Sequence, residues 1–184
     1  MGVNWAAGLM RWKPHTDRHG KTYSLAHLHP FRFQIHLQAH GREPARTVTI
    51  NVGFALHVFT CKLDQADGGA DRYTDDREVR VFDIGRYNAS LRLEMLIRGL
   101  ERRKCYFAGR ENFFTVDLKD APAGHEYRVF FVVRRLDGST VELIVQSAYF
   151  GNIEERPRGQ LSKQVRFIVI VSSALLAKKP KPPP

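Results

Sequence analysis

Apolar and polar residues alternate strictly from Phe31. Phe31, Phe33, Ile35, Leu37 and Ala39 fall on one side, and Arg32, Gln34, His36, Gln38 and His40 on the other. A period of two is the mark of a half-buried strand. GREPA, from Gly41, interrupts it, and RTVTINVGFALHVFT resumes it, so an N-terminal β pair is expected over residues 31–60. The period changes in NASLRLEMLIRGLERRKC, where Leu93, Leu96, Ile97 and Leu100 recur at helical spacing. Asn88 or Ser90 can cap its start, and Glu94 and Arg98 form an i,i+4 pair, so a helix is expected over 88–104. Short strand-like runs then fill residues 112–173: NFFTVDL, YRVFFVV, STVELIVQSAYF and QVRFIVIVSS. Strands arranged around one amphipathic helix predict an α+β fold, with a mainly antiparallel β-sheet of about six to seven strands and one principal helix. Residues 1–24 lack periodicity and are expected to form a loosely ordered arm. Residues 25–175 form the single domain, and 176–184, ending KKPKPPP, a disordered basic tail.

The clearest pairing is within YRVFFVVRRLDGSTVELIVQSAYF, from Tyr127. Asp137-Gly138 is a type I′ turn signal, because both central positions of that turn take positive φ. A two-residue loop sets Arg134 against Val141, Val132 against Leu143, Phe130 against Val145 and Arg128 against Ser147, with Glu126 against Tyr149. Directly opposed residues share a face, so Arg128, Ser147 and Tyr149 are expected at one polar end of an otherwise apolar strip. A guanidinium beside two hydroxyls suits a phosphate: the arginine fork matches its oxygens, and a tyrosine stacks on a base or moves a proton. His125 is the nearby group that titrates near neutrality, although alternation places it with Tyr127 on the opposite face.

Charge points the same way. The chain carries 29 Lys and Arg against 19 Asp and Glu, a formal net charge of +10. Much of the acid is concentrated in residues 64–78, which hold Asp64, Asp67, Asp71, Asp75, Asp76 and Glu78 and are expected to form a solvated loop. The basic remainder fits a polyanionic partner, either nucleic acid (RNA first) or an acidic protein surface. Arg102, Arg103, Lys104 and Arg110 beside Tyr106 are candidates for a phosphate track with a stacking platform.

Other chemistry is poorly represented. Cys61 and Cys105 fit neither a zinc spacing nor a disulfide framework, and both read as reduced in a cytoplasmic protein. The acids at 67, 71 and 75 do not have calcium-loop spacing, and His27 and His29 are better read as strand-face histidines than as a metal pair. No nucleotide-binding loop, nucleophile elbow or HExxH occurs, and neither cofactor nor metal is expected. The opening MGVNWAAGLMRWK lacks a basic stretch followed by an apolar run, so no secretory signal is expected, and no membrane partner either.

The helix followed by antiparallel strands, with YRVFFVV…VELIVQSAY as the central pair, resembles the RelE and barnase–EndoU–colicin type of toxin ribonucleases over residues 88–150. That resemblance implies metal-independent RNA cleavage from one face of the sheet. It assigns Arg128, Ser147 and Tyr149 to the catalytic face, with His125 as base. The rival expectation is a non-enzymatic interaction protein of a phage or mobile element, contacting its partner through the acidic loop or the basic helix end.

Overall fold

The computed structural model describes residues 10–39, 41, 44–63, 71–108, 111–116, 121–155 and 164–177. In chain order they form β1 (His15–Thr16), β2 (Thr22–Tyr23), β3 (Phe31–Leu37), β4 (Arg46–Phe54), β5 (Thr60–Cys61), β6 (Arg72–Thr74) and β7 (Val79–Phe82). Then come α1 (Ile84–Ser90), α2 (Leu93–Arg98), β8 (Lys104–Ala108), β9 (Glu111–Val116), β10 (His125–Arg135), β11 (Thr140–Asn152), β12 (Gln164–Arg166) and α3 (Phe167–Leu175). The fold is α+β with a mainly antiparallel sheet. Seven strands run in the order β12-β8-β9-β10-β11-β4-β3, and only β11 and β4 are parallel neighbours.

The sheet has two unlike faces because its strands alternate. One face collects Ile35, Val48, Ile50, Val52, Phe54, Cys105, Phe114, Tyr127, Val129, Phe131, Val141, Leu143, Val145 and Ala148, all buried. The helical segments cover this face. Phe167 of α3 packs edge-on against Phe131 at 6.2 Å, and the Arg98 guanidinium of α2 lies 4.6 Å over the Phe31 ring. The other face carries Arg32, Gln34 and His36, all exposed, and the half-buried Thr49, Asn51, Tyr106, Phe130, Val132, Arg134, Ser147 and Tyr149. This is the open face.

A second aromatic cluster closes one end. The β1–β2 hairpin and the small β5-β7-β6 sheet bring together Trp12, His15, Tyr23, Phe59, Tyr73, Phe82 and Tyr87. Trp12 Nε1 donates to the Phe54 carbonyl at 3.2 Å, tying the N-terminal segment to β4. Residues 10–24 are therefore packed against the domain rather than forming a loose arm. Positions 1–9 and 178–184 lie outside the described residues.

Three other expectations are corrected. The helical segment starts earlier, where Asp83 caps α1 by accepting from the Arg86 amide at 3.0 Å, and it breaks at Leu91–Arg92 before α2. It ends in a 3-10 turn at 100–102, so Lys104 opens a strand instead of closing a helix. The acidic stretch is not all loop. β6 pairs with β7 across a turn in which Asp75 Oδ1 accepts from the amides of Arg77 and Glu78, and positions 64–70 lie outside the described residues.

QVRFIVIVSS is a strand only through Arg166 and then becomes α3. A short run rich in Val and Ile suits either a buried strand or a buried helix turn. Here Phe167, Ile170, Val171 and Leu175 recur at helical spacing and are all buried, with α3 packed on β10 and β11.

Phe131 joins β9, β10 and α3 through rings at 6.2 Å on both sides, Phe114 and Phe167. Truncating such a buried ring leaves a cavity, so Phe131→Ala should lose about 3–5 kcal/mol of stability in urea unfolding.

Candidate nucleic-acid interface

The hairpin register decides what stands together on the open face. The turn is wider than two residues: Arg135 faces Val141, and the Asp137 side chain accepts from the Ser139 amide at 2.8 Å, holding positions 136–139 as the loop. The expected register is therefore off by one at the tip, which sends Leu143 and Val145 to the covered face with Val133 and Phe131. A bulge between Phe130/Phe131 and their partners, at Gln146, then shifts the register again. Phe130 faces Ser147, Arg128 faces Tyr149, and Glu126 faces Gly151. The two shifts restore the parity, and Arg128, Ser147 and Tyr149 do share one face.

Their chemistry is set by neighbours. Arg128 is 8% exposed, and Glu126 is fully buried beside it. Arg128 Nε donates to Glu126 Oε1 at 2.9 Å and Nη2 donates to the Asn152 carbonyl at 2.5 Å. The guanidinium lies across Gly151, where an added Cβ would sit 2.7 Å from Cζ. Glycine is required there for the close approach, not for its φ. The charge of Arg128 is thus matched within the protein, and the groups of this end that remain half-exposed are the Ser147 hydroxyl and the Tyr149 ring.

Tyr149 belongs to a stack. Its ring is nearly parallel to that of Phe130, with centroids 5.6 Å apart and planes at 13°, and the Arg86 guanidinium of α1 lies 5.3 Å from its centroid. The backbone register carries the line of Phe130 across the sheet to Tyr106, since position 113 pairs with both, and Phe130 pairs with Ser147 on the other side. Lys104, two residues before Tyr106, is exposed on the same side as Tyr106. The remaining candidates are placed elsewhere. Arg102 is exposed at the end of the 3-10 turn. Arg103 leans over the Phe114 ring of the covered face at 5.9 Å. Arg110 lies outside the described residues. His125 sits opposite Asn152 on the covered-face side, its Nδ1 2.9 Å from the Ala123 carbonyl. Its distance from Arg128 follows from strand alternation alone.

Farther along the open face, the register lines up Arg134, Glu142, Asn51 and Arg32 across four strands. Glu142 is 3% exposed, and its Oε2 has no hydrogen-bond partner among the described residues. Burial raises the affinity of this carboxyl for its proton, and the Arg134 charge offsets only part of that.

A second polar group adjoins the Tyr149 end. His57, in the 3-10 turn at 56–58, has its Nε2 2.6 Å from Glu78 Oε1. Arg80 Nη1 donates to Glu78 Oε2 at 3.3 Å, and its Nε donates to Thr60 Oγ1 at 2.9 Å. Arg86 Nη1 donates to the carbonyls of His57 and Thr60 at 2.9 and 2.8 Å, so the same guanidinium that covers Tyr149 also anchors the turn carrying His57. Partial burial raises the proton affinity of Glu78, but the hydrogen bonds from His57 and Arg80 outweigh it and hold the carboxyl below its ordinary range. Sequence reasoning missed this cluster. No local pattern links the two, because they stand 21 positions apart and Glu78 falls within the acidic run. The pairing of β5 with β7 brings the two together. Among the described residues, no group of three or more His, Cys, Asp or Glu is arranged to hold a metal ion, and no helix is long and apolar enough to cross a membrane.

Two consequences are measurable. Gly151→Ala should displace the Arg128 guanidinium and cost about 1–3 kcal/mol in chemical unfolding, the usual range for overpacking a filled site. Glu142 binds its proton more tightly folded than unfolded, so the stability it contributes is full below its ordinary value of 4.5 and is lost as pH rises through the raised folded value. Glu142→Gln should therefore melt higher than the wild type at neutral pH, and the difference should close toward pH ~4.

Comparison with curated proteins and with solved structures finds no match. One family description does match, over residues 14–175, a span that includes every strand and helix described above. By that match, the chain belongs to the YjaZ family.

Proposed function

We propose that the open sheet face binds single-stranded nucleic acid, with RNA as the first candidate. The observation that carries this reading is the stack of Arg86, Tyr149 and Phe130 on a solvent-facing sheet, in line with the row through Tyr106, in a chain of net charge +10. Base stacking on aromatic side chains tolerates any sequence, since every base has a π-face, and basic side chains along the groove follow the backbone. Lys104 beside Tyr106, and Arg32 and Arg134 farther along the same face, suit that second task. A metal-independent cleavage activity is the second reading. It is favoured by the sharing of one face by Arg128, Ser147 and Tyr149, the grouping that the ribonuclease resemblance implies. With Arg128 paired to Glu126, its role there is to hold the strand end that presents the two hydroxyls.

Fluorescence anisotropy with a labelled single-stranded RNA oligonucleotide tests the binding reading. Affinity should fall linearly with added salt on a log–log plot. Phe130→Leu and Tyr149→Leu keep the apolar bulk but remove the π-face, and each should weaken binding by about 1–3 kcal/mol while the thermal melt stays near that of the wild type. Absence of binding at low salt, or binding indifferent to both substitutions, would sink the proposal and leave an acidic protein surface as the partner to seek.

A further inference from the structure

We infer that His57, held by Glu78 and flanked by Arg80, is an acid–base centre for the phosphodiester of an RNA strand lying over Tyr149. The inference rests on the open face taking RNA, and it supplies the proton-transfer group that His125, on the other side of the sheet, does not.

Four features of the geometry carry it. A histidine whose one ring nitrogen is bound to a carboxylate has its tautomer and ring orientation set, with the proton on the bound nitrogen and the lone pair on the other. At 2.6 Å, the bond from Nε2 to Glu78 leaves Nδ1 as the basic atom. The pair is accessible, with side-chain exposures of 43% for His57 and 39% for Glu78, so the imidazole is placed to meet a ligand rather than to fill the core. Arg80 is nearly buried and is held at two points, Glu78 and Thr60, which makes its guanidinium a fixed charge beside the base. Thr60 is itself fixed, its Oγ1 donating to the Leu56 carbonyl at 2.7 Å. Finally, Arg86 touches both parts: its guanidinium stacks on Tyr149 and binds the His57 carbonyl. A base stacked at Tyr149 thus puts its neighbouring phosphate toward the two arginines and the imidazole.

The step that follows is an internal transfer. His57 Nδ1 takes the proton of the ribose 2′-hydroxyl, and the 2′-oxygen forms a bond to phosphorus. The P–O5′ bond breaks, and the 5′-oxygen takes a proton from water. The hydroxide so left is neutralised by the imidazolium, which restores the neutral ring. The products are a 2′,3′-cyclic phosphate and a 5′-hydroxyl, with no net consumption of water. Arg80 and Arg86 face the negative charge that builds on the phosphoryl oxygens. Glu78 is a positioning residue, since it acts through His57.

The experiment uses the full chain and a single-stranded RNA 20-mer, with the same sequence in DNA as control. The RNA should be cut into fragments ending in cyclic phosphate, and the DNA should be bound and left intact. His57→Ala should lower the single-turnover rate by at least about 100-fold, the scale of general base catalysis. Glu78→Gln should lower it by at least about tenfold and move the ascending limb of the pH–rate profile, and Glu78→Asp should restore part of it. The charged groups around the imidazole are Glu78, just before β7, Arg80 of β7, which is bound to Glu78, and Arg86 of α1, which is bound to the His57 carbonyl, and their substitution should move that limb. His19→Ala, at an exposed histidine of the β1–β2 turn, should cleave at the wild-type rate. RNA bound but uncut, or cut equally fast by His57→Ala, overturns this inference and leaves the binding reading standing. If neither RNA nor DNA is bound, both fail together.

Discussion

The bulge at Gln146 is the constraint on which the rest of the molecule depends. β11 runs through the middle of the sheet, and its apolar residues change frame partway along. Val141, Leu143 and Val145 are odd-numbered, Ala148 and Phe150 even-numbered. A regular strand could bury only one of these sets, because side chains alternate with a period of two. The extra residue lets both sets meet the covered face, where Val141, Leu143, Val145 and Ala148 are fully buried. The two consecutive polar residues, Gln146 and Ser147, mark the place. The same shift turns Ser147 and Tyr149 outward beside Phe130 and Arg128, so one irregularity completes the core and assembles the candidate site.

The open face divides its polar groups between holding the fold and meeting a partner. Glu126 and Arg128 neutralise each other under Gly151 and rivet the base of the hairpin. Burying a charge is tolerable when it is paired and hydrogen-bonded, and this pair meets that condition. Glu142 meets it less well, with one oxygen lacking a partner among the described residues and the Arg134 charge offsetting part of the cost of burial. By contrast, Tyr106, Phe130, Tyr149 and His57 are only half-covered, and Arg86 links the last two. Structural charges thus sit low in the sheet, and the groups suited to stacking and proton transfer stand at its surface.

Much of this was legible in advance where local pattern and tertiary packing agree. The alternation from Phe31 to Leu37 gave a true strand, and the helical repeat of Leu93, Leu96, Ile97 and Leu100 gave the buried stripe of α2 and the turn after it. Asp137-Gly138 marked the hairpin but not its loop length. The Asp137 side chain bonds to the backbone two residues on, and that bond competes with the tighter turn. α3 was missed because Val and Ile suit a strand locally, and only packing against Phe131 selects the helix.

From its sequence alone, the protein is an α+β chain with a mainly antiparallel sheet, a central hairpin and a basic surface, and Arg128, Ser147 and Tyr149 fall on one side of that hairpin. These are consequences of side-chain periodicity, turn chemistry and charge, each a property of neighbouring residues. The tertiary structure decided that Arg128 is taken up by Glu126, that Phe130 joins Tyr149, and that His57 meets Glu78. Those contacts depend on a bulge, a broken helix and a pairing between distant strands. Their positions are set by how the whole apolar face is filled, which no short stretch of the chain encodes.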